Sequence, residues 1–177
     1  MLRRVFLVLP IPFVAAGVSA KEKRVQTPVA SDATTAPARA ELHGVWKVTE
    51  VASRTPGGEW EVRPSPYLSQ YIFTARHYSY MYVPGAGPRK TIAGDPNRPT
   101  DVEKVEAYNS FIGASGTYHL SGGTLTLIAL VYKNPNEMNG KPLTYTAEVD
   151  GNTLRMTIAN PPFLPGRESR TVLTRVE

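Results

Sequence analysis

Leu143-Thr144-Tyr145-Thr146-Ala147-Glu148-Val149-Asp150-Gly151-Asn152-Thr153-Leu154-Arg155-Met156-Thr157-Ile158-Ala159 decides the fold. Apolar and polar residues alternate along both arms. In an extended chain that period of two sends one set of side chains to one face and the rest to the other. Between the arms stands Asp150-Gly151-Asn152. Tight hairpin turns need positive φ, which Gly, Asn and Asp adopt most readily, so Asp-Gly between two alternating runs is a strong hairpin signal.

The same grammar repeats outward. Residues 44–53 read as a first strand, turned by Thr55-Pro56-Gly57-Gly58 into a short second one at 59–63. Residues 68–74 and 77–83 flank a tight turn at Ala75-Arg76, and 116–120 and 124–132 flank Ser121-Gly122-Gly123. Residues 170–176 close a series of about nine strands. One helix interrupts it. Thr100-Asp101-Val102-Glu103 fits a capping box, and Val102, Val105 and Ile112 share a face with Tyr108 near it, which predicts a helix running to about Ile112. Glu103, Lys104 and Glu106 form its solvated side. Before it, residues 84–99 make a long loop with four prolines, read either as a lid or binding loop or as an insertion without a role. Sequential hairpins leave two open sheet edges, and closure into a barrel removes both. The expected fold is all-β: an antiparallel up-and-down β-barrel of eight to nine strands with one short mid-chain helix. A sandwich of the same strands is the alternative.

Of the 177 residues, 41% are apolar and 20% charged, as expected of a globular chain and unlike a coiled coil or a disordered tail. There is no cysteine, which excludes disulfides, Cys-ligated zinc and thiol nucleophiles. Residues 1–20 read as a signal peptide: Arg3 and Arg4, an apolar run broken by Pro10 and Pro12, then Val18-Ser19-Ala20 with cleavage before Lys21. That run is short of the roughly 20 residues a spanning helix needs. Residues 21–40, rich in Ala, Thr and Pro without apolar periodicity, read as a disordered linker. The globular domain is residues 41–177. The formal charge of +5 invites nucleic acid as a partner. However, residues 1–40 hold six Lys or Arg against two acidic residues, whereas the domain holds 14 basic and 13 acidic ones, interleaved. No basic face remains for nucleic acid.

Gly44-Val45-Trp46 opens the first strand, and Arg170 and Arg175 stand on the last. Phe111-Ile112-Gly113-Ala114-Ser115-Gly116-Thr117-Tyr118-His119-Leu120-Ser121-Gly122-Gly123-Thr124-Leu125-Thr126-Leu127 lies between, followed by Lys133-Asn134-Pro135 and Gly151-Asn152-Thr153-Leu154. This ordered set resembles the bacterial lipocalin-like domain proteins of the lipocalin, or calycin, superfamily, over residues 41–177. The resemblance implies a barrel whose first-strand tryptophan, Trp46 after Gly44, packs across the closed end. It also implies an arginine from the last strand over that ring, either Arg175 or Arg170. It implies fold more than activity.

His43, His77 and His119 lack metal-ligand spacing, and no phosphate loop, dinucleotide fingerprint, calcium loop or serine elbow occurs. The strongest functional lead is His77-Tyr78-Ser79-Tyr80-Met81-Tyr82, which puts three tyrosines on one face, with Tyr71 and Phe73 on one face of the strand before it. Turned inward, they make an aromatic wall with hydroxyls. Turned outward, they leave Ser79, Met81 and Val83 inside. Glu50 and Glu148 are strand carboxylates that would be general-base candidates only if buried. The sequence thus predicts a secreted or periplasmic monomer that binds a small hydrophobic or aromatic molecule, without catalysis, metal or cofactor. The candidate contacts are Tyr71, Phe73, Tyr78, Tyr80, Tyr82 and Tyr118, and the barrel base is Gly44, Trp46 and Arg175. One rival is a barrel enzyme of isomerase or cyclase type using Tyr80, His119 and Glu148. The other is a protein-interaction module with a filled barrel.

Overall fold

Every alternating segment becomes a strand. The computed structural model describes residues 41–138 and 140–177, so the expected signal peptide and linker lie outside the described residues. The strands are β1 (Gly44–Arg54), β2 (Glu61–Arg63), β3 (Leu68–Phe73), β4 (His77–Val83), β5 (Ile112–Ser121), β6 (Thr124–Tyr132), β7 (Leu143–Asp150), β8 (Thr153–Ala159) and β9 (Glu168–Arg175), with helix α1 (Asp101–Asn109) between β4 and β5. Consecutive strands from β3 to β9 pair antiparallel. β1 pairs with β3 along its first residues and with β9 from Trp46↔Arg175 to Arg54↔Glu168. That second ladder closes an eight-stranded barrel and rules out the sandwich. β2 is the extra strand, laid on the far half of β1 at Val51↔Arg63. It begins at Glu61 rather than residue 59, and Trp60 just before it lies across the guanidiniums of Arg54 and Arg170, each 4.4 Å from its ring centroid.

The two ends of the barrel differ. Tight turns at 74–76, Gly122-Gly123 and Gly151-Asn152 all fall at the end where β1 starts. Long connections, residues 55–67, 84–111, 133–142 and 160–167, all fall at the other. The tight-turn end is filled by Trp46, Phe73, Leu125, Leu154 and Leu173, with Leu42 packed with them, all fully buried. Each such side chain contributes about 1.5–3 kcal/mol of burial.

Two β-bulges set what faces inward at the long-connection end. In β1 the register runs Val48↔Leu173 and then Glu50↔Val172, leaving Thr49 unopposed. One extra residue flips the side-chain parity. Trp46 and Val48 therefore point in before the bulge, and Val51 and Ser53 point in after it. In β6, Ser115↔Val131 and Gly116↔Ala129 leave Leu130 unopposed, and Tyr132 is turned inward. Gly116 permits this approach, since a Cβ there would stand 2.0 Å from the Ile128 carbonyl oxygen.

Helix α1 differs from its sequence reading. The capping box forms, with the Glu103 amide donating to Thr100 Oγ1 at 3.3 Å and Thr100 amide donating to Glu103 Oε2 at 2.8 Å. The helix ends at Asn109, however, and Ile112 opens β5 opposite Tyr82. Its faces are also reversed. The polar side holds the preceding loop through Glu103 to the Ala93 amide (2.8 Å) and Glu106 to Lys90 (2.7 Å). Val102 and Val105 are 71% and 59% exposed.

Candidate functional site

A cavity of about 290 Å³ opens at the long-connection end. Tyr71 comes from β3, Tyr80 and Tyr82 from β4, Tyr132 from β6 and Tyr145 from β7. Their period-two placement inside the barrel makes one aromatic wall. Tyr71 and Tyr80 stack at 4.8 Å between centroids with 14° between planes, and Tyr132 meets Tyr80 edge-on at 6.4 Å. Such ring pairs contribute about 0.5–1.5 kcal/mol each beyond burial, so the wall is preorganised. Opposite it stand Val48, Val51, Ser53, Ser169 and Thr171 of β1 and β9. The mouth carries Arg63, Pro66, Phe163 and Leu164.

The electrostatics are those of a neutral, hydroxyl-bearing pocket. Burial raises the phenol pKa values of Tyr71, Tyr80, Tyr132 and Tyr145, and neighbouring phenols add to this at Tyr71, Tyr80 and Tyr145. Tyr82 is pushed up to about 12, by burial first and then by Tyr132. These phenols stay protonated at any physiological pH and act as hydrogen-bond donors rather than bases.

Of the six candidate contacts, Tyr71, Tyr80 and Tyr82 line the cavity. Phe73, Tyr78 and Tyr118 belong to the packed core instead. Phe73 and Tyr118 meet edge-on at 5.4 Å, and Tyr118 Oη donates to the Thr74 carbonyl at 2.7 Å. At the base, Arg175 is the arginine over Trp46, 4.0 Å from the ring centroid. Its guanidinium donates to the carbonyls of His43 and Glu41, and Trp46 Nε1 donates to the Leu42 carbonyl at 2.9 Å. Gly44 holds φ at +134°, and a Cβ there would stand 2.2 Å from the Glu177 carbonyl oxygen. Arg170 points to the outer face, bonded to Glu50 Oε1 at 2.7 Å and set against Trp60.

The rival catalytic set does not converge. Tyr80 is inside, whereas His119 and Glu148 are exposed, and Glu148 pairs with Arg155 at 3.3 Å. His77 is exposed as well. Four features of the cavity went unread in the sequence: Tyr132, Tyr145, the β1–β9 hydroxyl row and Arg63. Tyr145 was recoverable, because it alternates with buried Ala147 two residues on. Tyr132 was not, because the bulge at Leu130 breaks the alternation that leads to it.

No protein-family model matches the chain, and no curated protein matches it. Among solved structures it is similar to a lipocalin-like protein from Bacteroides uniformis ATCC 8492, at 15% identity and a TM-score of 0.42, over 76% of this chain and 98% of that one. It is also similar to an uncharacterized protein from Bacteroides eggerthii DSM 20697, at 12% identity and a TM-score of 0.41, with the same coverage. The closed eight-stranded meander, plugged by a first-strand tryptophan under a last-strand arginine, is a lipocalin-like barrel.

Proposed function

We propose that this protein is exported and binds a small hydrophobic or aromatic molecule in the barrel, without catalysing a reaction. One observation carries the binding: the barrel is filled only at its tight-turn end, and the tyrosine-walled space above that plug is open. Concave, mostly apolar sites with a few placed polar groups are the usual form of small-molecule pockets. Flat rings suit stacked phenols, and protonated hydroxyls suit a ligand with one or two acceptors. The protonated tyrosines and the outward His119 and Glu148 favour binding over acid–base chemistry. Export rests on the basic, apolar and small-residue succession of residues 1–20, and the lack of a nucleic-acid partner on the nearly balanced charge of residues 41–177.

Titration with the neutral dye N-phenylnaphthylamine tests the binding. The wild type should give saturable one-to-one fluorescence enhancement. Val51→Trp and Ser169→Phe, which fill the cavity from β1 and β9, should each weaken it at least tenfold while far-UV circular dichroism stays native. Equal affinity in all three folded proteins would refute the proposal. Export has its own check: the protein recovered from outside the cytoplasm should begin at Lys21, and recovery of the intact chain from the cytoplasm would refute it.

A further inference from the structure

The cavity has a neighbour. A second space of about 380 Å³ lies at the mouth, between the segment after β2 and the start of the loop after β4, and is lined by Pro64, Pro84, Gly85 and Ala86. The two share Val51, Arg63, Pro66, Tyr82 and Ile112. Among the described residues lining either space, Arg63 carries the single formal charge, and no carboxylate lines them. Three other arginines near this end are engaged. Arg54 pairs with Glu168 at 2.6 Å, Arg170 with Glu50 at 2.7 Å and Arg167 with Glu61 at 2.7 Å. Among the described residues Arg63 has no such partner, although it sits on the same short strand as Glu61.

We infer that the ligand is an amphipathic anion, its aromatic or apolar body among the tyrosines and its carboxylate or sulfonate at Arg63. This rests on the binding function proposed above and adds the chemical class. A guanidinium presents a planar fork of donors that matches a carboxylate, and it keeps its charge at all relevant pH values. Facing a neutral cavity, it has no internal counter-ion to displace. Its exposed position lets an anionic head stay partly hydrated at the mouth while the apolar body is buried. Hydroxyls of Tyr82 and, from the facing wall, Ser53 line the same space and supply further donors.

The test compares N-phenylnaphthylamine with anilinonaphthalene sulfonate, which adds a sulfonate to the same aromatic frame, in wild type, Arg63→Met and Arg63→Glu. The wild type should bind the sulfonate at least fivefold more tightly, given the strength of a hydrogen bond to a charged group. Arg63→Met should abolish that preference and Arg63→Glu reverse it, read in each protein as the ratio of the two dyes' affinities. Added salt should weaken only the sulfonate, and only in the wild type. If the wild type binds both dyes equally and the variants change neither, the anionic class is overturned while cavity binding stands. If neither dye binds the folded wild type, both readings are overturned.

Discussion

Two residues fix the barrel's closed end and its bend. Trp46 is fully buried beneath Arg175, whose guanidinium adds a cation–π contact of about 0.5–2 kcal/mol. Trp46→Ala should therefore cost about 3–5 kcal/mol in urea unfolding. Arg175→Met should cost much less if the ring's burial dominates, and a larger loss for Arg175→Met would show that the carbonyl bonds at His43 and Glu41 hold the base. Gly116 allows β5 and β6 to approach at the Leu130 bulge. Gly116→Ala drives a methyl into the Ile128 carbonyl and should cost about 1–3 kcal/mol by the same assay. No loss would mean the strands separate freely there. Gly-x-Trp made the first site legible in sequence. Nothing marked Gly116 as a bulge partner, because close approach between strands depends on a register that residue types do not encode singly.

Hairpins were the most readable elements. Gly151-Asn152 and Gly122-Gly123 connect strands whose registers follow from the turn. Bulges were the least readable. Thr49 and Leu130 each insert one residue, and the parity change that brings Val51 and Tyr132 inside has no signature in β-branched content. The inward turn of Tyr80 and Tyr82 was one of two symmetrical readings of alternation, and closure against β5 chose between them. Helix α1 was legible in its cap and misread in its faces, because the loop at 84–99 offers Lys90 and backbone amides that bind glutamates more strongly than water-exposed valines bind anything. Thr100→Ala should cost the helix about 1 kcal/mol. Hydrogen exchange should quicken in residues 101–109 and the 84–99 loop but not in the barrel strands. Faster exchange across the barrel would contradict the separateness of this insertion.

Charge and titration belong to the whole molecule. The basicity of the chain lies in residues 1–40, and Arg63, the one cation lining the cavity among the described residues, was indistinguishable in sequence from the domain's other basic residues. Five of the nine tyrosines line one cavity, and their raised pKa values make stability depend on alkali. The unfolded chain releases phenolic protons near the ordinary value of 10, whereas Tyr78 and Tyr82 hold theirs to about 12 when folded. Above pH 10 the unfolded state thus binds fewer protons, and stability, fully present below that pH, is lost as pH rises toward about 12. The tyrosinate absorbance should rise in two phases, exposed phenols first and buried ones together with unfolding. A single phase near pH 10 in the folded protein would contradict the burial. The central claim, a filled base below an open ligand cavity, is tested most directly by amide chemical-shift mapping during titration with N-phenylnaphthylamine. The shifts should fall on Val51, Ser53, Tyr82, Ile112, Ser169 and Thr171 and leave Leu125, Leu154 and Leu173 unmoved. Shifts confined to the outer face, at Met81, Leu130 and Val131, would place the ligand on the barrel's surface and contradict the account.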